Sequence, residues 1–333
     1  MGHFPETRVP SADFVFLARQ LTHPFFFLMS KHFLNFSAAL ATAVTLLAAP
    51  AAQAQIATPQ PSPKSTVTQR VGLTDITIVY SRPSMKGRKI FGTVVPYGKR
   101  WRTGANATTS IKFSDDVTVE GKKVPAGEYG LYTIPNKTEW LVVLNKSTKQ
   151  GADVDGFKDD QDVARFSVKP YLLPGYVAAN ITAKNFGKVE TFTINFADIT
   201  PATANVTLEW ALTGVMFKVT ADVDTKVLAQ IDEKITKTAS PAPADLASAA
   251  VYYYDNSKDL KQALAWMEKA NATDAKFWNL NTEAKIRLKM KDYAGATKAA
   301  EASKKGALAA TPPNSEYVKM NEDLIIEAKK MGK

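Results

Sequence analysis

The feature that most constrains this chain is a change of hydrophobic period near residue 222. From Ser65 to about Ala221 apolar and polar residues alternate, β-branched and aromatic types dominate, and turn residues separate the runs. Period two is the signature of half-buried strands. "TDITIVYS" puts Ile76, Ile78 and Tyr80 on one face, and "TSIKFS" and "VTVEG" are short strands split by Asp115 and Asp116. "EYGLYTIP", "EWLVVLNK", "ARFSVKP", "YVAANITAKN", "VETFTINFAD", "ANVTLEWALTG" and "VMFKVTAD" continue the pattern. About ten strands with no helical stretch between them predict an all-β antiparallel sandwich, or the related barrel, over 65–221.

Beyond Asp222 the spacing of apolar residues becomes three and four, and Ala, Lys, Leu and Glu dominate. Residues 222–243 read as a helix and a linker, ending in the Ser/Pro/Ala-rich "TASPAPA". Over 244–333 the pattern predicts helices at 244–255, 258–271, 274–290, 292–305 and 314–331, the last after Pro312 and Pro313. "KDLKQALAWME" at 258 and "KDYAGATKAAE" at 291 align at an offset of 33 residues, one short of the tetratricopeptide period. Leu260 and Tyr293 then occupy the large-residue turn, and Ala263 and Ala296 the small position that lets paired helices approach. The second half is expected to be an all-α, tetratricopeptide-like domain with a terminal capping helix. With only two repeats, its helices could dock on the β half.

The amino-terminal 54 residues read as a leader. Lys31 and His32 follow Met29, an Ala-rich apolar run extends to about Pro50, and Ala52-Gln53-Ala54 has small residues where a signal peptidase reads. The expectation is a start at Met29, a signal peptide over 29–54, and a linker over 55–64. Residues 1–28 are then an over-called extension. The run is short for a span and is interrupted by Asn35, so the exported form is expected not to cross a membrane. All three histidines (His3, His23, His32) lie in this leader and the chain has no cysteine.

A chain cut after Ala54 therefore lacks imidazole and thiol. That excludes Ser-His-Asp and Cys-His nucleophile systems and the usual nitrogen and sulfur metal sites. Whole-chain charge is +10; removing Arg8, Arg19 and Lys31 with Glu6 and Asp13 takes away +1 and leaves about +9. Such a charge favours anionic surfaces. For an exported protein, envelope polymers fit better than nucleic acid, and no cofactor is expected.

"YSRPSMKGRKIFGTVVPYGKRWRTGAN" (80–106), "VPAGEYGLYTIP" and "DVARFSVKP" occur in that order. Together they resemble an exported bacterial family catalogued as domain of unknown function 2911, over roughly 64–220. The resemblance implies the fold, export, and a helical tail, and supplies no substrate or catalytic residue. The family pattern places a glutamate after the Asn of "WRTGAN"; here Ala107 stands there.

The 80–106 stretch has seven Lys or Arg side chains and no acid. Arg82, Arg88, Trp101, Arg102 and Asn106 are the candidate ligand residues. Guanidiniums grip carboxylates, sulfates and phosphates bidentately, and Trp101 could stack on a sugar. "MKGRK" could ring an anion with backbone N–H groups. The competing reading pairs Arg82 and Arg102 with Asp115, Asp116 or Glu120, buries Trp101, and leaves the lysines guarding a sheet edge. In "GADVDGFKDDQD", Asp153, Asp155, Asp159 and Asp162 fall at calcium-loop positions. Gly151 at the first position and Asp162 in place of the closing Glu favour a solvated acidic loop instead.

These readings converge on an exported, non-catalytic binding or scaffolding protein of the bacterial cell envelope. Its sandwich would take an anionic or glycan ligand and its helical repeats a protein partner. The alternative is a carboxylate-dependent hydrolase of glycans drawing on Glu120, Glu128, Glu139, Glu190 or Glu209.

Overall fold

The alternating segments become two antiparallel sheets in the computed structural model, which describes residues 58–148, 158–173 and 187–333. The expected leader and the strand at "YVAANITAKN" lie outside the described residues. In chain order come β1 (Lys64–Val71), β2 (Thr74–Ser81), β3 (Ser110–Phe113), β4 (Val117–Val119), β5 (Lys122–Val124) and β6 (Gly127–Ile134). Then follow β7 (Trp140–Asn145), β8 (Asp162–Val168), β9 (Tyr171–Leu172), β10 (Val189–Ala197), β11 (Thr203–Ala211) and β12 (Thr213–Ala221). The first sheet is ordered β1-β2-β3-β6-β7-β8; the second is β10-β11-β12-β4-β5, with β9 also on β12.

Asp115 and Asp116 do separate two strands, and the turn they make carries the chain from one sheet to the other. β4 and β5 then form a hairpin over Glu120 (φ 44°) and Gly121 (φ 76°), a two-residue turn with both residues left-handed.

The two inner faces meet in one core. Ile76, Ile78, Leu131, Val142 and Leu144 from the first sheet and Val206, Leu208, Val215 and Phe217 from the second are all at most 1% exposed. Each contributes about 1.5–3 kcal/mol of burial. At one end Phe91, Trp101, Trp140, Phe192 and Trp210 form an aromatic cluster, with Trp101 stacked on Trp210 at 5.9 Å and edge-on to Phe192 at 5.0 Å.

The segment after β2 ties the sheets together at an edge. Met85 N donates to Glu190 O (2.8 Å) and Phe192 N to Pro83 O (2.9 Å), so residues 83–85 lie along the free edge of β10. β10 is irregular there, its register with β11 shifting between Val189 and Thr193. The Tyr80 hydroxyl accepts from Ile194 N (2.9 Å) and donates to Ile194 O (3.2 Å). Covering an irregular edge in this way blocks strand addition.

Six helices follow among the described residues: α1 (Val223–Ile231), α2 (Pro243–Asp255), α3 (Leu260–Thr273), α4 (Phe277–Lys289), α5 (Tyr293–Ala309) and α6 (Ser315–Met331). Asp222, Asp259, Asp292 and Asn314 cap the N-termini of α1, α3, α5 and α6 by accepting backbone N–H groups. A short π-helix, Asp232–Thr236, extends α1. From α2 onward each helix packs on its neighbours in sequence, with Ala263 and Ala296 buried. A buried polar chain joins α4, α5 and α6: Asn281 Nδ2 to Asn321 Oδ1 (2.9 Å), Asn321 Nδ2 to Ser303 Oγ (2.8 Å), and Ser303 Oγ to Phe277 O (2.6 Å).

The helices do not stand free of the sandwich. Lys226 of α1 pairs with Asp115 (2.6 Å), and Asp224 takes both Lys258 (2.6 Å) and the Tyr252 hydroxyl (2.8 Å). The helical aromatics serve mostly as packing: Tyr253 lies edge-on to Trp266 at 4.8 Å and Phe277 to Tyr317 at 5.0 Å.

Candidate functional site

The "WRTGAN" turn is built against the end of β6. Trp101 N donates to Thr133 O (2.7 Å) and Thr133 N to Trp101 O (3.0 Å), an antiparallel bridge that puts both side chains on the core side. Alternation then turns Arg100 and Arg102 to the outer face of the first sheet, with Tyr132. Beyond the bridge Thr103 (φ 57°) and Asn106 (φ 57°) are left-handed and Gly104 has φ 159°. A Cβ on Gly104 would stand 2.9 Å from Thr109 Oγ1 and 3.0 Å from Ser81 O, so only glycine fits. Thr109 fastens the turn, its hydroxyl donating to Thr103 O (2.6 Å) and its N–H to Arg102 O (3.2 Å).

Four of the five candidate residues spend their polar groups on the fold. Trp101 is 8% exposed and its indole N–H donates to Gly104 O (3.0 Å). Arg82 Nε donates to Phe192 O (3.1 Å) and its Nη2 to Thr193 Oγ1 (2.7 Å), across the irregular part of β10. Arg88 donates to Met85 O (2.9 Å) and Ser84 O (2.7 Å), closing its own loop. Asn106 Nδ2 donates to Ser62 O (3.1 Å). In "MKGRK", Lys86 (φ 49°) and Gly87 (φ 73°) are left-handed, and Lys86 N donates to Glu190 Oε1 (2.8 Å), so this chain's own carboxylate is the anion at that loop.

Arg102 is the exception. It is half-buried, its Nε is buried without a hydrogen-bond partner, and no side chain or carbonyl among the described residues engages its guanidinium. Burial pushes its pKa below the ordinary value. The pairing of Arg82 and Arg102 with Asp115, Asp116 or Glu120 in the competing reading does not occur; those carboxylates have other partners. Asp115 pairs with Lys226, Asp116 accepts Ala126 N (2.8 Å), and Glu120 accepts Lys218 N (2.6 Å).

A network of which sequence reading gives only the Asp162–Arg165 pair lies on the same sheet. Asp159 Oδ1 takes Arg100 (2.7 Å) and Arg165 (2.8 Å), and Arg165 Nε also donates to Asp162 Oδ2. Buried Asn145 donates to Asp162 Oδ1 (2.7 Å) and accepts Ser147 N (2.7 Å). The buried Tyr132 hydroxyl donates to Ser147 O (3.2 Å) and lies 3.3 Å from Thr108 Oγ1. Hydrogen bonds from Arg100 and then Arg165 hold the Asp159 carboxyl below its usual range, and burial pushes the Tyr132 phenol up. The available signal was Tyr132 and Asn145 standing at outward positions of otherwise apolar strands.

Of the calcium-loop candidates, Asp159 and Asp162 are thus held by guanidiniums, while Asp153 and Asp155 lie outside the described residues. Among the described residues no group of three or more His, Cys, Asp or Glu side chains is placed to hold a metal ion. Of the candidate glutamates, Glu120 and Glu190 accept backbone N–H groups and Glu209 accepts the Tyr171 hydroxyl (3.0 Å). No described helix is long and apolar enough to cross a membrane.

A family model described as "Protein of unknown function (DUF2911)" matches residues 62–219, which takes in both sheets but for the last two residues of β12, together with Arg102 and the network centred on Asp159. No curated protein and no solved structure matches the chain.

Proposed function

We propose that this chain is an exported, non-catalytic binding protein of the cell envelope, holding an anionic group at Arg102 and presenting its helices to a protein partner. The observation that carries the reading is the desolvated Arg102 guanidinium with no counter-charge of its own. A buried donor left unmade costs about 1–3 kcal/mol, and a carboxylate, sulfate or phosphate held bidentately at the outward N–H groups of the same guanidinium would offset it by neutralising the desolvated charge. The turn that carries Arg102 is fixed on both sides, so little ordering accompanies binding. Support for export comes from the leader pattern. Support for a non-catalytic role comes from the absence of His and Cys after residue 54. The 33-residue offset supports the repeat reading of the helices.

Calorimetric titration with inorganic phosphate and with sulfate tests the site. Arg102→Ala is expected to weaken binding about 10- to 100-fold, or about 1.4–2.7 kcal/mol. Rising neutral salt should weaken binding in the parent protein. Equal affinity in parent and variant removes the assignment.

A further inference from the structure

A concavity of ≈ 310 Å³ opens at the end of the sandwich where the aromatic cluster approaches the surface. We infer that it is a saccharide-binding site, taking one or two pyranose rings against the faces of Tyr97 and Tyr171. This site is independent of the anion site at Arg102.

The two rings are fixed before any ligand arrives. Tyr97 lies over Gly92, where a Cβ would stand 2.7 Å from the ring, and Tyr171 lies over Gly214, where it would stand 2.4 Å away. Both glycines therefore act as seats that any side chain would fill. Tyr171 is also anchored through its hydroxyl, which donates to Glu209 Oε1 (3.0 Å). Trp140 is 2% exposed and Phe91 8%, and these two line the concavity from the core side, their centroids 4.8 Å apart. A hydrophobic, rigid base with pre-set aromatic rings loses little entropy on binding.

The polar rim supplies the complementary half. Asn136 and Lys137 come from the turn between β6 and β7, and Thr213 from the start of β12. Among the described residues, the Asn136 amide, the Lys137 ammonium, the Thr213 hydroxyl and the Tyr97 hydroxyl have no hydrogen-bond partner. Uncommitted donors and acceptors around an aromatic base suit a ligand with an apolar C–H face and a rim of hydroxyls, which describes a pyranose. A purely aromatic ligand would leave the rim groups unmatched, and a small anion would leave the rings unused. The volume sits at the lower end of the ~300–1,000 Å³ range of ligand pockets, which limits the bound portion to one or two sugar units.

The test is a panel of soluble di- and tetrasaccharides differing in linkage, N-acetylation and carboxylation, titrated into the intact protein by calorimetry and by amide-resolved NMR. At least one sugar should bind saturably, with shifts at residues 97, 136, 137, 171 and 213. Tyr97→Ala should weaken it at least tenfold, and Asn136→Ala should weaken it as a second, surface-only variant. Arg102→Ala should leave sugar affinity within twofold, so that failure of either site is seen separately. The inference is overturned if no sugar of the panel binds, if only indole or phenol binds, or if Tyr97→Ala and Asn136→Ala both bind sugar as the parent does.

Discussion

The contrast between Arg82 and Arg102 yields a prediction whose sign differs at two arginines of the same basic stretch. Arg82 makes two charge-assisted hydrogen bonds, one of them to the Phe192 carbonyl where β10 departs from its register. Bonds to charged groups contribute about 1.5–3 kcal/mol each, and partial exposure lowers the sum, so Arg82→Ala should cost about 2–4 kcal/mol. For a protein of this size about 2–4 °C in Tm accompanies each kcal/mol, so the midpoint should fall by about 5–15 °C. Arg102 makes no such bond. Arg102→Met keeps the aliphatic bulk and removes a buried, unmatched donor, so stability should be unchanged or rise by about 1 kcal/mol. Paired urea and thermal melts of the two variants give the comparison directly. If Arg102→Met destabilises as much as Arg82→Ala, Arg102 is held by the fold and the reasoning for an anion site fails.

Three further outcomes follow from the packing. Trp101→Ala should lower stability by about 3–5 kcal/mol in urea melts, the cost of truncating a core aromatic, whereas a ligand-facing indole would change by under about 1. Gly72→Ala should destabilise by about 1–3 kcal/mol, because Gly72 has φ 59° and its new Cβ would fall 2.2 Å from Val223 Cγ2; a neutral melt would refute this. The Gly295 N–H and then Arg287 hold the Asp292 carboxyl below its ordinary 3.8. A depressed carboxyl stabilises the fold above its unfolded value, and that contribution is lost as pH falls through the lower folded value. Asp292→Asn should therefore flatten the acid side of the stability profile below about pH 4, and an unchanged profile would refute the linkage.

Strand and helix placement was legible because each segment's period is a local property. "EYGLYTIP" and "EWLVVLNK" alternate and become β6 and β7, and the five helices expected after residue 243 appear within a few residues of their expected ends. The roles of Arg82 and Arg102 were not legible, since they depend on partners far along the chain. Arg82 meets Phe192 and Thr193 more than a hundred residues away, at an irregularity of β10 that no local pattern announces. The nearby acids looked like natural partners, but backbone N–H groups and Lys226 had already taken them. The core position of Trp101 was one of two open readings, and the stacking on Trp210 decides it.

The most direct measurement of the central claim is the Nε–H resonance of Arg102 in a titration with sulfate. The buried, unbonded Nε–H reports an anion held at the outward N–H groups of the same guanidinium and should shift saturably, while the Nε–H groups of Arg82 and Arg88, already bonded to carbonyls, stay in place. An Arg102 resonance that does not move, or that moves linearly along with those two, would contradict the account.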